Sequence, residues 1–198
     1  MTKLKRLKNK IPLPIRLFLG KALLLFIIWE IVYNLFIHDS AFPQQFLTNH
    51  VGQFSVLALN SLGNMTEFTN HNTILTSTYS GDAINEFYSE IYHHDKKILN
   101  IANACNGLEL MVLYIGFIIC MPSKFWRKVK YIILGLIVLD AINILRCVGL
   151  IYLREYYHNY FDFAHHYLFK AVIYATSFLI WYIFARKISL NHENLQNG

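Results

Sequence analysis

Apolar residues in this chain run in blocks rather than alternating with polar ones. Four blocks are long enough to cross a bilayer as helices, which takes about 20 residues and tolerates about 17–25. They are IRLFLGKALLLFIIWEIVYNLFI (about residues 15–37), IANACNGLELMVLYIGFIICM (about 101–121), YIILGLIVLDAINILRCVGLIYL (about 131–153) and HYLFKAVIYATSFLIWYIF (about 166–184). A fifth block, FSVLALNSLGNM (54–65), is too short to span and is expected to be an interfacial or re-entrant helix. The segment INEFYSEIYHHDKKILNIANAC has two strand-like pieces around the polar turn His93–Lys97, which predicts a short β-hairpin leading into Cys105. The expected architecture is an all-α integral membrane protein: one domain over 1–198, a four-helix transmembrane bundle, and an exported segment of about 38–100 carrying the interfacial helix and the hairpin.

Composition agrees. The 198 residues are 55% hydrophobic and 15% charged, with a mean hydropathy of +0.34. Soluble domains carry about 25% charged residues. Three cysteines, two of them inside apolar runs, do not read as a disulfide framework. The basic start MTKLKRLKNK before an apolar run raises a cleaved signal peptide. No small-residue cleavage site follows promptly, so the run is read as a retained first helix.

The net charge of +6 matters less than its distribution. Lysine and arginine crowd the N-terminus, the 122–130 connection (Lys124, Arg127, Lys128, Lys130) and the end of the fourth block (Arg186, Lys187). With four spans these clusters share one side, and basic loops mark the cytoplasmic side. The expectation is a multi-pass protein of the cell inner (cytoplasmic) membrane, with residues 38–103 and 154–165 outside. Nothing in the pattern calls for nucleic acid.

This topology brings chemistry to one membrane face. Cys105 opens the second span. Arg146 lies near the outer end of the third, and His165 and His166 open the fourth. An arginine at membrane depth is expensive unless paired or hydrated, and so is a functional candidate. Asn143 is one turn below Arg146, Asp140 a further turn below, and Glu109 four residues after Cys105. Residues three or four apart share a helix face. A cysteine nucleophile needs thiolate character, which a helix N-terminus, a cation or a histidine supplies. Arg146 and backbone N–H groups near Gly107 would meet an oxyanion, and a histidine would protonate the leaving amine. His166 is slightly favoured over His165 because it is closer to the apolar run. Each residue also has an ordinary reading. Cys105 is then a small packing residue, Arg146 a snorkelling side chain, the histidines interfacial, and Asp140 and Glu109 interhelical hydrogen-bond partners.

At these residues the chain resembles the exosortase/archaeosortase family of membrane transpeptidases, of the short, single-module bacterial kind. The motifs are ACNG at the start of a helix (Ala104–Gly107), NILR in the next (Asn143–Arg146) and a histidine opening a later one (His165 or His166). Family members often have Ser and a basic residue around the glycine, where this chain has Asn106 and Glu109. The resemblance implies a sorting enzyme whose substrates are exported proteins with a C-terminal tail of recognition motif, transmembrane helix and basic cluster. Cys105, Arg146 and His166 or His165 would be catalytic, with Gly107, Asn143, Glu109 and Asp140 in support. Cleavage at the periplasmic face would give a thioester on Cys105, resolved by an acceptor nucleophile that the sequence does not specify. No metal or organic cofactor is implied, and membrane lipid is the remaining partner. The alternatives are a metal- or haem-binding membrane protein, suggested by His93-His94 and His165-His166, and a non-catalytic assembly or transport subunit.

Overall fold

The computed structural model describes residues 13–33, 35, 42–62, 66–79 and 82–196. The basic N-terminus, residues 34, 36 and 37 of the first expected span and residues 63–65 of the expected interfacial helix lie outside the described residues. The elements are α1 (Leu13–Val32), α2 (Gln44–Ser61), β1 (Phe68–Tyr79), β2 (Asp82–His93), β3 (Lys96–Ala102), α3 (Leu108–Cys120), α4 (Phe125–Tyr156), α5 (His158–Phe163) and α6 (Phe169–Gln196). A 3₁₀ turn at Asn103–Cys105 precedes α3, and a π-helical turn at Ala164–Leu168 joins α5 to α6.

The chain is mostly helical but not all-α, because three antiparallel strands form a sheet in the order β1-β2-β3. Two helical stretches, Phe125–Tyr156 and His158–Arg186, are long and apolar enough to cross a membrane. The second expected span is shorter than its apolar run suggests. Helix α3 has 13 residues, about 20 Å at 1.5 Å per residue against a hydrocarbon core of about 30 Å. The 20 residues of α1 include Arg16, Lys21 and Glu30.

The expected hairpin is present as β2 and β3. Its two turn residues, His94 and Asp95, both have positive φ (48° and 63°), as a type I′ turn requires. Strand β1 extends the sheet, pairing with β2 from Phe68↔His93 to Tyr79↔Asp82. Helix α2 starts ten residues before the expected interfacial helix. Its buried stripe, Thr48, Val51, Gly52, Ser55, Val56 and Leu59, recurs at helical spacing and covers the sheet. A Cβ on Gly52 would overlap the Ser89 side chain of β2, so only glycine permits this approach. Asn60 fastens the end of α2 to the first strand, donating to the Phe68 carbonyl (3.0 Å) and accepting from its N–H (3.1 Å).

Two cores result. The first joins Val51, Val56 and Leu59 of α2, Phe68, Ile91, Ile98 and Ile101 of the sheet, and Cys147 and Ile151 of α4. The second, lower on α4, joins Tyr114 and Ile118 of α3, Leu139 of α4 and Phe184 of α6. Gly135 lies against the Tyr114 ring and Gly149 against the Phe169 ring, small residues that let helices pack closely. Outside this second core Ile133, Leu134 and Ile137 of α4 and Phe178 and Leu179 of α6 are exposed. Such surfaces suit a lipid surround.

Candidate active site

Cys105 closes the 3₁₀ turn and is not part of α3. Between them stand Asn106 and Gly107, the latter at φ +80° as N-cap of α3. Glycine takes this left-handed conformation without strain. A Cβ at Gly107 would also come within 3.3 Å of Asn143 Nδ2, so the close approach of α4 independently asks for a residue without one.

The turn is held from two sides. From α2, Asn106 is only 2% exposed. Its Nδ2 donates to the Gln44 carbonyl and to Thr48 Oγ1, both at 3.3 Å, and its Oδ1 accepts from the Leu108 N–H at 2.9 Å. Thr48 Oγ1 in turn donates to Asn103 Oδ1 at 2.8 Å. From α4, Asn143 Nδ2 and Arg146 Nη2 both donate to the main-chain carbonyl of Cys105, at 3.1 and 3.0 Å. The backbone that carries the thiol is thus clamped while the side chain stays partly exposed. Cys120 and Cys147 are buried. Two polar atoms beside the clamp, Asn143 Oδ1 and Arg146 Nε, are buried without a hydrogen-bond partner among the described residues. Buried polar groups are normally satisfied, so a group from outside the chain has two ready partners here.

The histidines sit in the π-helical turn. His165 is half-buried, stacked on Phe161 with ring centroids 5.6 Å apart, and lies within electrostatic reach of Arg146, Lys170 and Asp162. His166 is exposed, its ring 4.9 Å from that of His165. Neither is hydrogen-bonded to Cys105 among the described residues.

A family model described as transmembrane exosortase matches residues 15–183. This chain belongs to the transmembrane exosortase family. No curated protein and no solved structure matches it. It is accordingly a membrane protein of a family of membrane cysteine peptidases and transpeptidases that act on exported proteins with C-terminal sorting signals.

In this exosortase the expected site residues separate into groups. Cys105, Gly107, Asn143 and Arg146 converge, and His165 lies within electrostatic reach of Arg146. Asp140 pairs instead with His50 of α2, Oδ2 to Nε2 at 3.0 Å. The shared face expected for Glu109 and Cys105 assumed one helix through both. The 3₁₀ turn and the left-handed Gly107 break that phase, and Glu109 lines a cavity with Glu30 of α1. Arg146 is also farther from the helix end than expected. Helix α4 runs to Tyr156, about three turns beyond Arg146, and the extra length packs on the sheet. The other histidine pair is committed elsewhere: His93 bonds Glu155 (3.1 Å) and stacks on Phe68, and His94 meets Glu67 (2.6 Å). Sequence reasoning missed Asn103, Asn106, Thr48 and His50. The two asparagines around the cysteine were the available signal, since asparagine favours turns and caps over helix interiors.

Proposed function

We propose that this exosortase is a membrane cysteine transpeptidase or protease that cleaves the C-terminal tails of exported proteins through a Cys105 thioester, at the periplasmic face of the inner membrane. One observation carries the reading: two side chains of α4, Asn143 and Arg146, converge on the carbonyl of the one partly exposed cysteine. A half-buried arginine at membrane depth is a costly way to fix a packing residue. It is a reasonable way to hold a nucleophile beside a site of developing negative charge.

In the first half-reaction a histidine takes the Cys105 thiol proton and the sulfur attacks the scissile carbonyl carbon. The oxyanion is met by the planar guanidinium of Arg146, whose Nε has no hydrogen-bond partner among the described residues. The C–N bond then breaks, the leaving nitrogen takes a proton from a histidine, and the acyl group remains on sulfur. In the second half-reaction an amine, or another nucleophile, attacks the thioester carbon. Its proton passes to the histidine and then to the departing thiolate. His165 is the better supported of the two for this work, because it is half-buried and within electrostatic reach of Arg146, whereas His166 is exposed.

The apolar face that α2 turns away from the sheet, Phe46, Phe54 and Leu57, suits a helix lying on the bilayer surface. Arg127, Lys128 and Lys130 stand at the opposite end of α4 from the site, which supports a periplasmic active site. Membrane proteomics of a Cys105→Ala strain tests the reading. Exported proteins ending in a motif, a helix and a basic cluster should keep their tails there, and lose them in Cys120→Ala and Cys147→Ala strains. Normal tail removal in the Cys105→Ala strain would sink the proposal.

A further inference from the structure

Strand β3 delivers the chain to the nucleophile. It ends at Ala102, and the 3₁₀ turn that follows closes on Cys105. In the order β1-β2-β3 it is an edge strand, paired with β2 from Tyr88↔Ala102 to His93↔Lys96. About every second residue of an edge strand turns its N–H and C=O outward. Among the described residues no other segment hydrogen-bonds to that outward edge of β3. Proteins usually blunt an open edge with charge, proline or cover. Lys96 and Lys97 are exposed at the end far from Cys105, but Ile98–Ala102 carries neither charge nor proline. Asn100 is a second sign. It stands opposite Glu90 in the sheet, and its Oδ1 is buried without a hydrogen-bond partner among the described residues. Buried acceptors are normally satisfied, and a strand laid along this edge would bring N–H donors beside it.

We propose that the outward edge of β3 receives the extended recognition segment of the exported tail as a parallel fourth strand whose C-terminal end reaches Cys105. The inference rests on the cleavage reaction proposed for that cysteine. The layout of such a tail sets the direction. Its recognition segment precedes the scissile bond, and a helix bound for the bilayer follows. In this chain β3 precedes Cys105, and the apolar α3 follows. A tail running in the same direction as β3 brings its scissile carbonyl to the sulfur and then continues toward the bilayer as α3 does. An antiparallel tail would reach Cys105 from its N-terminal end. Everything after its scissile bond would then be carried along β3 toward Lys96, away from the bilayer. The seven residues of β3 span about 23 Å, room for a segment of about six residues. In strand addition the main-chain bonds supply affinity and the side chains supply selection. Parallel pairing is slightly the weaker kind, which suffices for a tail that its own helix already tethers to the same membrane.

Site-specific photo-crosslinking in cells, with the full chain, tests both the place and the direction. A benzophenone amino acid replaces Lys96 or Ala102 of β3 in a Cys105→Ala background, where uncleaved tails accumulate. Thr69, exposed on the opposite edge strand β1, takes the same probe as control. Mass spectrometry then locates each adduct on the captured tail. The Ala102 probe should mark the last residues before the tail's apolar helix. The Lys96 probe should mark residues about six positions nearer the N-terminus of the tail, as strands in parallel register require. Thr69 should capture the same tails about tenfold less, since only a bound tail stays beside its probe. Each probe is also placed in the chain with Cys105 intact, where labelling of that cysteine by a thiol reagent shows that the fold is kept. Half-buried Leu99 takes the probe in place of Ala102 if that labelling is lost. Adducts in the reverse order would overturn the parallel strand. So would equal capture from Thr69, or accumulated tails without an adduct from β3. The two readings fail separately. Tails kept in the Cys105→Ala strain but not captured by β3 overturn the docking edge alone, whereas tails removed normally in that strain overturn the cleavage reading beneath it.

Discussion

Cys147, Leu150 and Ile151 of α4 are buried, and Cys147 and Ile151 belong to a core with three residues of α2 and four of the sheet. Lower on the same helix, Leu139 joins a core of only Tyr114, Ile118 and Phe184, and the neighbouring Ile133, Leu134 and Ile137 are exposed. The upper region is closed on its apolar side, with helix, sheet and helix each hiding the others. The lower region is thin inside and apolar outside, which is stable only where the surround is itself apolar. One helix serves both regions, and Asn143 and Arg146 leave it between them. A reaction that draws on a bilayer-held chain and a water-borne nucleophile is well placed at that boundary. The polar groups there are anchored by the closed region, while the open region meets lipid.

The sharpest way to break this comparison is Arg146→Lys. Lysine keeps the charge but not the planar fork that can bond the Cys105 carbonyl and still offer a donor to an oxyanion. Tail processing should fall by about 10²–10³, as for loss of one oxyanion donor, with both regions still folded by circular dichroism. Activity near that of the parent protein would mean that the arginine merely reaches toward water.

Next in size is Gly52→Val. Overpacking against Ser89 should destabilise the upper region by about 1–3 kcal/mol, read as faster amide exchange in the sheet, while the helices of the lower region stay protected. Equal loss in both regions would show that they unfold as one. Tyr114→Phe probes the lower region. It removes the bond from Tyr114 Oη to the Tyr131 carbonyl (2.6 Å) and should cost about 1 kcal/mol in denaturation from detergent, leaving the sheet untouched.

The smallest effect is a matter of pH. Hydrogen bonding from Lys97 holds the Glu90 carboxyl below its usual range, against the opposing effect of burial. A depressed folded-state value contributes stability above the ordinary carboxylate range, and that contribution is lost as pH falls through the lower folded value. Acidification from neutral should therefore loosen the sheet. Glu90→Gln should lack that part of the acid response, seen by limited proteolysis between about pH 6 and 3.

What could be read from the sequence follows the same division. Helices α4 and α6 announce themselves as long apolar runs, and β2 and β3 as alternation around His93–Lys97. Strand β1 does not. Among its described side chains Phe68 alone joins the core, while Ile74 and Leu75 are exposed, and neither alternation nor an apolar run marks FTNHNTILTSTY. Only its threonines hinted at a strand. The first half of α2 is similarly hidden, because its buried face includes Thr48, Gly52 and Ser55, chosen for close approach and hydrogen bonding rather than hydrophobicity. At the site, the order Cys105, Asn143, Arg146, His165 could be read, but the direction of Glu109 could not. Extending a helix back through Gly107 assigned it the wrong phase.

The π-helical turn at Ala164–Leu168 has a consequence for how such a site can be gained or lost. A turn of this kind carries one residue more than the α-helical turn it replaces. The segment before it is therefore set off from the segment after it by roughly 100°. Insertion of a single codon is enough to swing an imidazole from the outside of the helix toward Arg146, and loss of a single codon is enough to swing it back. Everything from α6 onward would keep its register in either case. Deleting His166 should tighten the turn to ordinary α-helix and pull Phe161 away from the Arg154 guanidinium, now 5.0 Å above its ring. A histidine held by so small an insertion can be acquired in one mutational step on an otherwise finished scaffold.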